Sequence, residues 1–439
     1  MILKPKRCAE GVNLKIMNIN QTFLQRINLS LLLFVLGFSL RFYSTGYGVF
    51  PYSESETDLV RNISFVFLAF STFFALLEGK LFNLQFKYRV WVTAIAYIFF
   101  ILLAYGVSRA NEMARIRYDV ASFTYFSGLL VASEKKNWKM LEKMFFVHFF
   151  VGIITNIYAF NKFPPSSMRE SVIGFYVPYM LQSLLYPWPY FLMTVYWKGM
   201  YRRMLAIFGA VVALMSFIFF QKRMHAIDFS LTALFGLFFY VIREKVSMPV
   251  LIKKVTIMLL IVVLFFGILL SVLKVSDPNN VFLDSFYGLK DRVMTENNNR
   301  RLSFYEAFNY KRYSNFDRFL EARYFFDRAT INEIIFGRGI GGGDYNEITG
   351  FTNLHIGLAM LVLKGGLIFL ALWLFGWIMI FVDFLKTNKR ILYIFSFAFI
   401  IRYLVLLTIT SAWESDVWFG LVLVCTGVCM SKWIKEETA

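Results

Sequence analysis

The chain has 439 residues, of which 58% are hydrophobic, 19% aromatic and only 17% charged. A soluble protein carries roughly 25% charged residues and does not run its apolar residues in near-continuous blocks of about 18 or more, which are typical of membrane-spanning helices. The net charge of +18 is explained by basic cytoplasmic loops, and no nucleic-acid-binding motif is present. We therefore expect an all-α, multi-pass membrane protein with no nucleic-acid partner.

Twelve apolar blocks are predicted to span the membrane. The fourth is short and mixed, so a re-entrant segment is an alternative there, and the tenth is long enough to tilt or to begin outside the bilayer. The blocks lie at residues 27–48, 60–78, 89–107, 116–132, 144–161, 174–196, 204–221, 226–243, 254–274, 353–384, 391–411 and 414–431. They divide the chain into spans 1 to 9 (1–274), one large loop (275–352) and spans 10 to 12 (353–439).

Lysine and arginine accumulate in every second short loop, as at Lys80 between the second and third spans. Since such loops face the cytoplasm, both termini are predicted to be cytoplasmic and the loop 275–352 extracytoplasmic. Arg117 and Arg223 belong to groups of cations on the outer side. They favour either contact with an anionic lipid or substrate, or ion pairs with Glu112 or Asp228.

The large loop 275–352 is too long for a simple connection and is expected to fold and to carry function. It contains eight arginines, two lysines and eleven acidic residues, and arginine suits bidentate contacts to phosphate or carboxylate. Residues 300–308 and 316–336 have helical periodicity with one apolar face. We expect them to lie on the membrane surface or to cap the bundle.

Histidine is rare and dispersed, with no nearby carboxylate cluster at metal-ligand spacing, so no metal site is predicted. His148 lies among phenylalanines in the fifth span and is predicted to be a packed core residue. His355 opens the tenth span, where the large loop re-enters the membrane. An amphiphilic substrate would react at this interface, so His355 is a candidate catalytic residue.

A glycine-rich turn precedes His355, with Arg338 between Gly337 and Gly339. It has no Lys-Ser/Thr pair and is not an ATP-binding loop. It is either a flexible turn leading back to the membrane or a phosphate or sugar site built from backbone N–H groups and Arg338. Further along, Lys364, Gly365 and Gly366 interrupt the tenth span, where glycine permits close helix contact. Arg41 and Arg402 lie in or near spans and are expected to face a cavity or a partner.

The order of these features resembles the bacterial O-antigen polymerase and ligase superfamily of membrane glycosyltransferases over residues 200–385. The matching positions are Lys222-Arg223 at the start of a mid-chain span, Arg301 four residues before Tyr305, the Gly337-Arg338-Gly339 turn, and His355 eleven residues before Gly366. Arg323 and Gly339 also have the sixteen-residue offset of a polymerase loop motif. The ligase pattern prefers Asn, Ser or Gln after the histidine, and Ile356 at that position favours the polymerase.

The resemblance implies a glycan donor on undecaprenyl pyrophosphate and, as acceptor, a sugar hydroxyl of another lipid-linked repeat unit, at the periplasmic face of the bacterial inner membrane. Arg223 and Arg301 would stabilise the pyrophosphate leaving group, and His355 would accept or position the hydroxyl proton. Arg323 and Arg338 would hold the glycan or a phosphate. Gly339, Lys222 and Arg300 are further candidates for substrate binding.

The same resemblance implies no cofactor, nucleotide sugar or metal, because the pyrophosphate bond stores the energy for transfer. The expected partners are the lipid-linked glycan, membrane lipids and a regulator of chain length. Three alternatives remain open. They are a ligase that moves finished glycan onto lipid A core, a transporter of lipid-linked oligosaccharide, and a receptor or scaffold. A transporter would predict internal repeats, which the sequence lacks.

Overall fold

The structure is a computed structural model that describes residues 28–44, 54–108, 113–162, 322–323, 325–340, 354, 356–386, 391–408 and 417–436, with a few isolated positions between 200 and 271. These described residues are 88% helical and contain no strand. Apolar segments in a bilayer must satisfy their backbone groups internally, which favours helices. The all-α prediction is confirmed for this part of the chain.

The helices with described bounds are numbered here in chain order. They are α1 (Leu29–Ser44), α2 (Glu54–Leu77), α3 (Phe86–Val107), α4 (Met113–Phe123), α5 (Phe126–Ala132), α6 (Trp138–Lys162), α7 (Ile331–Phe336), α8 (Gly357–Lys386), α9 (Ile391–Leu406), α10 (Val417–Met430) and α11 (Trp433–Glu436). Single 3-10 turns, Lys80–Asn83 and Lys135–Asn137, precede α3 and α6.

Three of these helices are long and apolar enough to cross a membrane. They are α2 over Asp58–Leu77, α3 over Phe86–Val107 and α8 over Gly357–Lys386, and they coincide with predicted spans 2, 3 and 10. Helices α1, α6, α9 and α10 occupy predicted spans 1, 5, 11 and 12. Predicted spans 6 to 9 lie almost entirely outside the described residues, so the total of twelve stays a prediction.

The fourth predicted span, 116–132, is two short helices rather than one. Helices α4 and α5 are separated by a turn at Thr124 and Tyr125. The Thr124 hydroxyl donates to the Ala121 carbonyl (2.7 Å), and the Ser127 hydroxyl donates to the Thr124 carbonyl (2.8 Å). Hydroxyls that bond to nearby carbonyls compete with the helical ladder, which accounts for the break that a hydropathy pattern does not reveal.

Two pairs of packed helices run antiparallel. Helices α1 and α2 are antiparallel, because Ser71 late in α2 donates to the Ser30 carbonyl at the start of α1 (2.7 Å). Helices α3 and α8 are also antiparallel. The Lys87 ammonium at the start of α3 lies 2.5 Å from Asp383 near the end of α8. At the other ends, Leu102 late in α3 and Lys364 early in α8 accept hydrogen bonds from the consecutive residues Ile340 and Gly339.

Aromatic side chains fill the space between the helices. Trp91 of α3 reaches α8, where its indole N–H donates to the Leu372 carbonyl (2.6 Å) and its ring crosses Trp377. His148 of α6 is 3% exposed, and its Nδ1 lies 2.6 Å from the Met144 carbonyl. Its ring packs edge-on against two phenylalanines of α1, Phe38 and Phe42. The prediction that His148 is a packed core residue is confirmed.

A polar cluster at one end of the bundle surrounds Lys80, which is only 2% exposed. We call it the Lys80 cluster. The Lys80 ammonium contacts Asn28 (2.5 Å), Ser30 (2.7 Å), Glu78 (3.0 Å) and Glu134 (3.3 Å). Burial raises the pKa of Glu78, but hydrogen bonds from Ser30 and Lys80 outweigh it, so this pKa lies below its ordinary value. These contacts hold the start of α1, the end of α2 and the end of α5 together.

Candidate functional site

The end of the large loop folds into a capped helix followed by a glycine turn. Thr330 and Glu333 form a capping box at the start of α7, in which the Thr330 N–H donates to the Glu333 carboxylate (2.8 Å) and the Glu333 N–H donates to the Thr330 hydroxyl (3.3 Å). Gly337 ends α7 with a φ of 78°, and Gly339 has a φ of 89°. Both angles lie in the left-handed region that glycine adopts without strain, so the chain turns sharply at Arg338.

This turn inserts its backbone between α3 and α8. The Arg338 N–H donates to the Leu363 carbonyl (2.7 Å), and the Gly339 N–H donates to the Lys364 carbonyl (2.9 Å). The Ile340 N–H donates to the Leu102 carbonyl in α3 (3.0 Å). These three N–H groups are therefore engaged by helix carbonyls and are not available to a phosphate. Of the two interpretations of the turn, the structure favours the connection that leads back to the helices, although these three hydrogen bonds fix the turn in place, whereas the sequence suggested a flexible one.

Helix α8 receives the turn at a kink. Gly366 has non-helical angles (φ 69°, ψ −175°) inside α8. Such a residue interrupts the helical ladder, so the carbonyls just before it need other donors, which the turn supplies. A Cβ at Gly366 would collide with the Ile335 carbonyl, and one at Gly337 would collide with the Lys364 backbone. The predicted interruption of the tenth span is confirmed, and the close contact that it permits is with the loop.

Lys364 places an ion pair directly beneath the turn. Its ammonium contacts the Asp119 carboxylate of α4, and the two side chains are 4% and 1% exposed. Within an apolar bundle, a charged pair is costly unless both partners are satisfied, and it is by default a candidate functional feature. Lys364 thus joins three parts of the molecule: its helix α8, the loop turn through its carbonyl, and α4 through its ammonium.

Arg338 turns its side chain back towards α7. Its guanidinium lies 3.0 Å from the Glu333 carboxylate and 5.7 Å from the centre of the Phe325 ring. Burial raises the pKa of Glu333, but hydrogen bonds from Thr330 and Arg338 and the arginine charge outweigh it, so this pKa lies below its ordinary value. The Arg338 side chain is 20% exposed. Its charge is balanced locally by Glu333.

The other predicted site residues separate into two groups. Arg323 is described, with a side chain that is 76% exposed and 3.4 Å from Asp327. Gly339 is buried against Tyr105 and Gly106 of α3. The remaining candidates lie outside the described residues: Lys222, Arg223, Arg300, Arg301 and His355. The structure therefore describes Arg338 and Gly339 at the turn and an exposed Arg323, and the roles of all the candidates stay predictions.

The neighbours of His355 fix where this part of the chain enters the bundle. Leu354 is 1% exposed and Ile356 is 7% exposed. Next to them, the Leu358 N–H in the first turn of α8 donates to the Leu407 carbonyl after α9 (3.1 Å). The start of α8 is thus anchored to the end of α9 as well as to the loop turn.

Arg41 and Arg402, the two cations predicted to lie in or near spans, are buried. Arg41 is 5% exposed and lies 5.5 Å from the centre of the Phe65 ring, and Arg402 is 4% exposed. Arg117 of α4 hydrogen-bonds to Asn62 of α2, a partner that the sequence did not indicate. In the part of the chain that the structure describes, no group of three or more His, Cys, Asp or Glu side chains could hold a metal ion.

Sequence reasoning noticed Lys364 but missed Asp119. The only signal for Asp119 was a single carboxylate within a weakly apolar segment, which is also common at the end of a helix.

Comparison with known proteins adds nothing here, since no protein-family profile, curated protein or solved structure matches the chain. The arrangement itself is a junction at which residues 338–340 are fixed between α3 and α8 by backbone hydrogen bonds, with the buried Lys364–Asp119 ion pair beside them.

Proposed function

We propose that this protein is a membrane glycosyltransferase that polymerises undecaprenyl-pyrophosphate-linked oligosaccharide repeat units into a surface polysaccharide, in the manner of O-antigen polymerases. In this proposal it has twelve spans in the bacterial inner membrane, with both termini in the cytoplasm. The loop 275–352 faces the periplasm and works together with the start of the tenth span.

One structural observation supports this proposal above the others. The end of the loop is fixed between α3 and α8 by three backbone hydrogen bonds, of 2.7, 2.9 and 3.0 Å. A loop that only connected two spans would not need to be bound to two helices by its backbone. Such a junction suits an enzyme whose loop must stay aligned with the membrane surface, because misplacement by about 1 Å can cost a hundredfold in rate.

The chemistry assigned to the site follows the types of residue at the motif positions. Transfer breaks the bond between the anomeric carbon and the donor pyrophosphate, and forms a bond from that carbon to the acceptor hydroxyl oxygen. Arg223 and Arg301 stabilise the departing pyrophosphate. His355 takes or positions the proton of the attacking hydroxyl. Arg338 and Arg323 contact the glycan or a phosphate of the lipid carrier.

A reconstituted reaction tests the proposal. Purified full-length protein is incubated with the undecaprenyl-pyrophosphate-linked repeat unit of its host, without nucleotide or added metal, and products are separated on a gel. We expect a ladder of polymer that both His355→Ala and Arg301→Ala abolish. Arg89→Ala is the matched control, since Arg89 packs on Phe82 and Phe86 at the start of α3, whereas the loop junction is at Leu102 near its end. Its ladder should equal that of the parent protein.

Two other outcomes would overturn the polymerase assignment. Transfer that occurs only when lipid A core is added would identify a ligase. Folded protein that transfers no glycan under either condition, but moves the lipid-linked substrate between the leaflets of a vesicle, would identify a transporter. Each outcome uses the same purified protein and the same lipid-linked substrate.

A further inference from the structure

The junction beneath the loop turn depends on a residue that the proposed chemistry does not use. Lys364 supplies the carbonyl that accepts from Gly339, and its ammonium contacts Asp119. The first contact faces the loop and the second faces α4. Movement of Lys364 would therefore disturb both the loop turn and the contact with α4.

The turn has little freedom to adapt if Lys364 moves. A Cβ at Gly337 would collide with the Lys364 backbone, and a Cβ at Gly106 of α3 would collide with the Ile340 carbonyl. Backbones packed this closely tolerate no displacement without loss of contact. The position of Lys364 thus decides whether the turn can stay inserted between α3 and α8.

Asp119 is placed to set that position. Its side chain is 1% exposed, and it belongs to α4, which is separate in sequence from both the loop and α8. Attraction between opposite charges is strong where water is excluded. The Lys364 side chain is 4% exposed at the contact, so the carboxylate pulls on the ammonium in a low-dielectric setting.

We propose that Lys364 and Asp119 are positioning residues that hold the end of the large loop, and with it Arg338, against the first turns of α8. Their contribution to glycan transfer rests on the function proposed above. Neither residue takes part in bond making or breaking. The pair acts through the turn, and its loss releases residues 337–340 from between α3 and α8.

Release of the turn can be measured without any enzymatic assay. Ile340 is 0% exposed, whereas Phe336, four residues earlier, is 59% exposed. Ile340→Cys and Phe336→Cys are made separately in the full chain, purified in detergent and reacted with a polar maleimide. The protein without an introduced cysteine gives the background from its native thiols. We expect slow labelling at position 340 and fast labelling at position 336.

Two substitutions at Asp119 then separate charge from shape. Asp119→Asn keeps the shape and removes the charge, whereas Asp119→Glu keeps the charge and adds one methylene. If the pair holds the turn, Asp119→Asn speeds labelling of the cysteine at position 340 by about tenfold or more. The same cysteine is labelled more slowly in the Asp119→Glu protein than in the Asp119→Asn protein. Labelling of Phe336→Cys stays unchanged in both. If Asp119→Asn labels as slowly as the parent, the proposal is wrong.

The activity measurement is kept separate. If the parent forms polymer, Asp119→Asn should lower the maximal rate, and Asp119→Glu should recover part of it. A positioning role is indicated if Asp119→Glu, which keeps the charge, recovers both the slow labelling and part of the rate. A loss of packing would instead harm Asp119→Glu more than Asp119→Asn, because Glu is the larger side chain. If the parent forms no polymer, the proposed function fails, whereas the labelling experiment still decides whether the pair holds the turn.

Discussion

The two lysines buried in the described part of the bundle are held in different surroundings. Lys80 lies at one end, where Asn28, Ser30, Glu78 and Glu134 gather around its ammonium. Lys364 lies two turns inside α8, where its ammonium meets the Asp119 carboxylate of another helix. At the end of a bundle, turns and helix termini supply many polar groups close to water. In the interior, a buried charge depends on an opposite charge placed with accuracy.

The largest difference should come from removing each lysine. Lys364→Met leaves the Asp119 carboxylate, which is 1% exposed, buried without that ammonium, and should cost about 3–5 kcal/mol of unfolding free energy. Lys80→Met leaves Glu78 and Glu134 with side chains that are 29% and 19% exposed. Water can reach them, so we expect a loss of about 1–3 kcal/mol.

Denaturant titration of both lysine variants in detergent, followed by tryptophan fluorescence, would compare the two losses. If both variants lost the same unfolding free energy, access of water to Glu78 and Glu134 would not reduce the cost of removing Lys80. The two surroundings would then be energetically equivalent. The comparison is also independent of any enzymatic activity.

A smaller difference is expected between two glycines that share a positive φ but differ in ψ, which is 20° at Gly79 and −175° at Gly366. Gly79 precedes the Lys80 turn with a φ of 71°, and its nearest neighbour for a Cβ is a Phe82 ring carbon at 3.8 Å. Gly79→Ala should therefore cost only the left-handed strain, about 1 kcal/mol. At Gly366, with a φ of 69°, a Cβ would collide with the Ile335 carbonyl. Gly366→Ala should cost about 2–4 kcal/mol, since overpacking adds to the strain.

Thermal unfolding of the two alanine variants, measured by loss of monodisperse protein after heating, should rank Gly366→Ala well below Gly79→Ala. A Gly366→Ala protein as stable as Gly79→Ala would show that the loop and the kink of α8 are not interlocked. It would also contradict the close backbone approach on which the junction depends.

The smallest effect concerns pH at the Lys80 cluster. The pKa of Glu78 is lowered in the folded protein, so its ionised form stabilises the fold above the unfolded-state pKa, and this contribution is lost as the pH falls through the folded-state pKa. Glu78→Gln should lower stability at pH 7 by about 1 kcal/mol or less, given its partial exposure. The gap to the parent should close in acid. Unfolding of both proteins between pH 7 and pH 3 measures it, and a gap that widens in acid would contradict the assignment.

Hydropathy predicted much of the fold because span length and apolar composition are local properties of the sequence. The helices α2, α3 and α8 match predicted spans. Hydropathy counts a charged residue only as unfavourable for membrane insertion and does not show which residue it pairs with. It therefore counted Lys80 as a loop cation, although the folded chain buries it among carboxylates and hydroxyls.

The order of the candidate-site residues along the chain could be predicted from the sequence, but the contacts between them could not. The glycine turn, Arg338 and the interruption at Gly366 were all visible as residues. The sequence did not reveal that the turn donates its N–H groups to the carbonyls of Leu363, Lys364 and Leu102, since such bonds join segments far apart in the chain. The pairing of Lys364 with Asp119 is hidden for the same reason, because a single charged residue in the sequence does not show which distant residue its side chain contacts.

The interlock between Gly366 and the loop also has a consequence for how the chain is made. During synthesis, α3 and α4 leave the ribosome long before residues 331–340, and α8 follows last of the three. The carbonyls that receive the turn belong to both an early helix and a late one. The turn can therefore complete its hydrogen bonds only after α8 has entered the bilayer beside α3. Docking of the loop is in this sense a late step of biogenesis that waits for the insertion of α8.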